Sequence, residues 1–167
     1  MTRRVPDDPV AFRQSVLARL RTVARDRRQP IQDLQLRLIL ERFLARLFAV
    51  PETPWVLEGG FAMDLRYRPR ARTNRDVDLT TRAMPEIAPE DRSEWIREQL
   101  QDLADVDSGD HLVDRIGTAR KVLPAPPFGG ASSPVEALIA GKVLGRFRID
   151  VGFGDPSGGP PDRLAGD

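Results

Sequence analysis

In the run DVDLTT, Asp76 and Asp78 lie two residues apart and alternate with Val77 and Leu79. Residues i and i+2 of a strand leave the same face, so the spacing predicts two carboxylates side by side while Val77 and Leu79 turn into a core. Neighbouring carboxylates repel one another unless a cation sits between them. The pair therefore suits a hard ion such as Mg²⁺, which prefers oxygen ligands and is commonly held by one or two carboxylates plus substrate phosphates. Taken alone, a DxD strand is more often a solvated pair near a turn, and its weight comes from its neighbours.

Three neighbours bear on it. Gly59 and Gly60 fall between a short β-prone run and a segment able to start a helix. There, backbone N–H groups can approach phosphate and a helix N-terminus favours negative charge. Asp150 sits in RFRIDVGF, where Phe147, Ile149, Val151 and Phe153 alternate with Arg148, Asp150 and Gly152. The alternation predicts that Asp150 leaves its strand opposite the apolar face, with Gly152 beside it leaving room for a metal or ligand. The third neighbour is RYRPRARTNR, residues 66–75, which holds five arginines and no acid directly before the DVD strand. Arg70, Arg72 and Arg75 in that run could hold a polyphosphate or a nucleic-acid backbone. Three carboxylates holding two metals can activate a hydroxyl for attack at an α-phosphate and neutralise the departing pyrophosphate, while glycine amides steady a triphosphate. These are the parts a nucleotidyl transfer needs.

The elements that must position these residues can be read from the same chain. Asp8 followed by Pro9 is a helix start, with Phe12, Val16, Leu20 and Val23 at helical spacing and an end near Arg27 or Arg28. After Pro30, Leu36, Ile39, Leu40, Phe43, Leu47 and Phe48 mark a second, well-buried helix that Pro51 stops. Trp55 to Leu57 reads as a strand, the two glycines as a turn, and FAMDLRY as a new helix. Trp95, Ile96, Leu100 and Leu103 predict a long helix over residues 90–104 behind Pro89. HLVDRIG and VEALIAG, each closed by a glycine, read as strands. The stretch from Gly154 has the composition of a disordered tail.

At 167 residues the chain fits one domain with its own core. The expected layout is a domain over residues 1–153, with helices over 9–50 and a core over 54–153, followed by the tail 154–167. Cysteine is absent and His111 is the only histidine, which excludes disulfides, thiolate chemistry and a Cys/His zinc site. His111, after DSGD and before an apolar run, reads as a surface or strand-edge residue, and Trp55 and Trp95 as core. The formal charge of +1 favours no class of partner, but its distribution is uneven. Residues 86–114 carry ten acids and two arginines, which reads as a solvated helix face. No apolar run approaches the roughly 18 residues of a membrane span, and the N-terminus shows neither a secretory signal nor a lipid anchor, so the expected compartment is the cytoplasm.

The stretch WVLEGGFAMDLRYRPRARTNRDVDL followed by FRIDVGFGD resembles the AbiEii-type nucleotidyltransferase toxins of the DNA polymerase β-like superfamily, over roughly residues 34 to 156. The resemblance implies an α+β polymerase-β-like nucleotidyltransferase fold with a mixed β-sheet flanked by helices. It aligns Gly59 and Gly60 with the phosphate-binding turn, Asp76 and Asp78 with the metal pair, and Asp150 with the third carboxylate. It implies Mg²⁺, a nucleoside triphosphate (NTP) donor, an RNA acceptor such as tRNA, and a separate antitoxin protein. The family pattern commonly continues past the third Asp into a helical region with a lysine, whereas 17 residues follow Asp150 here and none is lysine. Glu58 stands where a lysine is frequent and Phe61 where the superfamily often has Ser or Thr. Two other readings fit these residues: an aminoglycoside-like nucleotidyltransferase acting on a small molecule, and a truncated, inactive remnant that only binds.

Overall fold

The computed structural model describes residues 7–67, 75–81, 86–123, 129–153 and 162–163. Helix α1 (Pro9–Arg27) starts as its sequence dictates: the Asp8 carboxylate accepts the N–H groups of Val10 and Ala11, and the helix ends at Arg28 in a left-handed conformation. Its apolar stripe is half-buried, and no α1 residue is fully buried. Helix α2 (Ile31–Leu47) instead sinks Leu36, Ile39, Leu40, Phe43, Leu44 and Leu47 into the core. Each such side chain contributes about 1.5–3 kcal/mol of burial, so this helix anchors the layer that packs on the sheet. The Phe43 ring meets Phe147 edge-on at 5.3 Å.

Strand β1 (Trp55–Glu58), helix α3 (Gly59–Tyr67) and strand β2 (Asp76–Thr81) follow in succession. The expected turn at the two glycines is instead the first turn of α3, which begins at Gly59 without a linker. A 3-10 turn (Pro89–Asp91) leads into α4 (Arg92–Ala104), so the helix expected over 90–104 starts two residues later. Trp55 lies in the core and Trp95 packs half-buried against it. Strand β3 (Leu112–Ile116), the short β4 (Lys121–Leu123), β5 (Gly130–Ile139) and β6 (Lys142–Phe153) are the remaining elements among the described residues. β4 carries too few residues to show a pattern, and β5 begins five residues before the VEALIAG run that predicts it.

Among the described residues six strands form one mixed sheet in the order β1-β2-β6-β5-β3, with β4 also on β5. β2 and β6 are parallel and every other pair is antiparallel. The chain is thus α+β, as expected, with helices against a mixed sheet. Val77, Leu79, Ile149, Val151 and Phe153 are buried on the helix side, while Asp76, Asp78, Arg148 and Asp150 occupy the alternate, less buried positions.

The acidic segment is a correction to the sequence reading. Asp110 and Asp114 are not on a solvated helix face: they close on Arg46, which is 1% exposed. The Arg46 guanidinium donates to Asp110 at 2.5 Å, to Asp114 at 3.2 Å and to the Leu112 carbonyl at 3.0 Å, and Arg42 donates to the other oxygen of Asp110 at 2.6 Å. Gln101 of α4 accepts from the Ile116 N–H and donates to the Asp114 carbonyl, so side chains satisfy backbone groups along the free edge of β3. Burial drives the Asp114 carboxyl up to about 7, against the pull of Arg46 and with help from the Asp110 and Asp105 charges.

Candidate active site

The outer face of the sheet is built by alternation on β2 and β6. The register of β1 and β2 sets Glu58 opposite Asp78, and that of β2 and β6 sets Asp78 opposite Asp150; Ser132 of β5 lies beyond Asp150. One row across the sheet therefore reads Glu58, Asp78, Asp150, Ser132. In the next row Asp76 is opposite Arg148. Arg148 joins the two rows: its guanidinium lies 3.0 Å from Asp76 and its Nε 3.4 Å from Oδ1 of Asp150.

The Asp78 carboxyl is pushed above the usual range, first by burial and then by the charges of Asp150 and Asp76, with Arg148 opposing. Oδ1 of Asp150 is buried and accepts no hydrogen bond among the described residues, although Arg148 is its ionic neighbour. A hard cation suits such oxygens. Yet among the described residues no three acidic or imidazole groups stand close enough to enclose an ion as they are. Asp78 and Asp150 are paired in register across β2 and β6, while Asp76 makes an ion pair with Arg148.

Gly59 has no room for a side chain. It takes φ +66°, and a Cβ there would lie 2.1 Å from Oδ2 of Asp78. The start of α3 is thus pressed against the carboxylate row, and the first N–H groups of a helix lack intrahelical partners. Gly60, one residue on, is exposed within the helix.

Other sequence candidates fare differently. Arg75 is exposed at the entry to β2, where its carbonyl accepts the Arg148 N–H at 3.1 Å. Arg70 and Arg72 lie outside the described residues, as does most of the tail, although Asp162 forms an ion pair with Arg66. Gly152 is on the same face as Asp150, but a Cβ there would meet only Oγ1 of Thr80 at 3.9 Å, so the space beside Asp150 does not depend on glycine. His111 precedes β3, at the opposite edge of the sheet from β1, half-buried with its ring 5.4 Å from Phe12. Sequence reasoning gave no role to Arg148 or Ser132. The alternation in RFRIDVGF already put Arg148 on the face of Asp150, whereas Ser132 is found only through the β5 to β6 register.

Comparison with known proteins gives one family. Residues 42–165 match the model described as "Nucleotidyl transferase AbiEii toxin, Type IV TA system", and no curated protein matches the chain. The matched segment spans every residue of the carboxylate rows and both glycines. Among the described residues no helix is long and apolar enough to cross a membrane.

Proposed function

The chain belongs to the AbiEii nucleotidyltransferase toxin family, and on that footing we propose that it transfers a nucleotide from an NTP to an RNA acceptor, tRNA being the favoured one, at the outer face of the sheet. The observation that carries this reading is the direct opposition of Asp78 and Asp150 beside the tightly packed Gly59. Asp78 and Asp150, joined by Asp76, would hold Mg²⁺, which when bound would supply Lewis-acid activation at the α-phosphate and charge neutralisation for the leaving pyrophosphate. Gly59 and Gly60 offer N–H groups at the start of α3 to the triphosphate. Arg72 and Arg75 hold phosphate at the entry to β2. The acceptor hydroxyl oxygen bonds to the α-phosphorus as the bond to the bridging oxygen breaks. A carboxylate of this face would take its proton. The reaction belongs in the cytoplasm, where both substrates are abundant, under the control of an antitoxin protein.

Incubation with α-labelled NTPs and total tRNA, with and without Mg²⁺, tests the reading. Label should pass to RNA only with the metal and not with Asp78→Asn. Label passing to an aminoglycoside and never to RNA would replace the acceptor. Absence of transfer to any acceptor, together with absence of Mn²⁺ binding, would overturn the proposal.

A further inference from the structure

Arg148 lies where the carboxylate face most needs positive charge. It is opposite Asp76 across the β2 to β6 pairing and two residues before Asp150 on the same face of β6. Its guanidinium contacts both, at 3.0 and 3.4 Å, while its own side chain remains 54% exposed. The arrangement has two consequences. Asp76 and Asp150 are bridged by one guanidinium, so a cation entering between them must displace it. The contacts are also weak: the one at 3.4 Å leaves the buried oxygen of Asp150 without a hydrogen bond among the described residues, and half-exposed ion pairs contribute little to stability. An arginine held this way can leave for solvent at low cost, since its long side chain projects from an open sheet face.

We propose that Arg148 is a built-in counter-ion for the carboxylate face, bridging Asp76 and Asp150 until a divalent cation displaces it. The inference rests on the reading of this face as a metal site. Arg148 is here a positioning residue: it holds two carboxylates near each other against their repulsion, and it competes with the ion they are to bind. A purely structural arginine would have no such opposed effects. Its removal would loosen the metal-free chain and weaken binding alike, whereas a counter-ion that yields loosens the metal-free chain and tightens binding.

The test uses the full chain and Mn²⁺ alone, followed by titration calorimetry, with thermal unfolding in chelator as the second readout. Arg148→Gln should bind Mn²⁺ about tenfold more tightly than the wild type, the size expected when two half-exposed ion pairs no longer compete. In chelator it should unfold at a lower temperature, and saturating Mn²⁺ should restore more of that loss than it adds to the wild type. Arg148→Lys, which keeps the charge but not the two-pronged contact, should lie between them and serves if the glutamine variant does not fold. Equal or weaker Mn²⁺ binding by folded variants, while the wild type binds and Asp78→Asn does not, would overturn the counter-ion and leave the metal site standing. Mn²⁺ binding by none of the chains would overturn both.

Discussion

Asp78 and Asp150 face each other in register across the parallel pair β2 and β6, with Arg148 touching only the second of them. Burial and two like charges hold the Asp78 carboxyl above its usual range, so its ionised form costs stability in the metal-free fold. Asp78→Asn should therefore stabilise the chain in chelator at neutral pH, by a few tenths to about 1 kcal/mol once solvent screening is allowed for. The same change should lower nucleotide transfer by about a hundredfold or more, since a metal ligand is lost. Urea unfolding in chelator and a labelled-NTP assay read the two halves; a variant that is both less stable and fully active would contradict the assignment.

Gly59 and Gly60 are not equivalent. Gly59 combines φ +66° with a close approach to Asp78, so Gly59→Ala should cost about 1–3 kcal/mol and push the Asp78 carboxylate out of its row. Gly60→Ala, at an exposed helical position, should be neutral or stabilising by up to about 1 kcal/mol. Thermal unfolding of the two variants, with Mn²⁺ affinity beside it, separates a positional requirement from a general preference for glycine.

The buried Asp114 predicts a pH dependence whose sign is fixed by its raised value. With the folded carboxyl near 7 and the unfolded one near its ordinary 3.8, the folded chain holds a proton that the unfolded chain has lost. The Asp114 contribution is thus fully present below about pH 4 and is lost as pH rises through 7. Between pH 5 and pH 8 the wild type should lose about 2 kcal/mol relative to Asp114→Asn, whose side chain does not titrate. Urea midpoints of both chains at the two pH values measure it, and a constant difference would show that Asp114 stays ionised beside Arg46. Arg46→Ala, which strands Asp110 and Asp114, should cost about 3–5 kcal/mol at neutral pH.

The arginine run is tested by charge. Replacing Arg70, Arg72 and Arg75 together by Gln should weaken tRNA binding and reduce the slope of log affinity against log salt by about 2, the share of three phosphate contacts. Filter binding over a salt series reads this directly. An unchanged slope would leave the run as a solvated loop.

Much of this was legible in the chain because it depends on local pattern. Alternation in DVDLTT and RFRIDVGF decided which face Asp76, Asp78 and Asp150 would take, and apolar spacing placed α2 and its buried stripe. Asp8 and Pro9 marked the start of α1 to the residue. The family match over residues 42–165 agrees with the resemblance carried by the Gly-Gly to DVDL block. β4 escaped because three residues carry no period, and the first turn of α3 was misplaced because Gly-Gly commonly marks a turn while a helix can also start on it.

Which residues meet was decided by tertiary structure. Period alone puts a carboxylate on a face, but only pairing across the sheet sets Asp78 against Asp150 and Asp76 against Arg148, and a slip of one residue would have sent each side chain to the other face. Arg46 and Asp114 lie 68 residues apart, and nothing near either shows that one will be buried with the other. The acidic segment looked solvated because local charge is the only quantity a linear reading counts. Packing of α4 against β3 and of α2 against α4 and β6 removed water from around Asp114 and much of Asp110, and an arginine from α2 then had to accompany them.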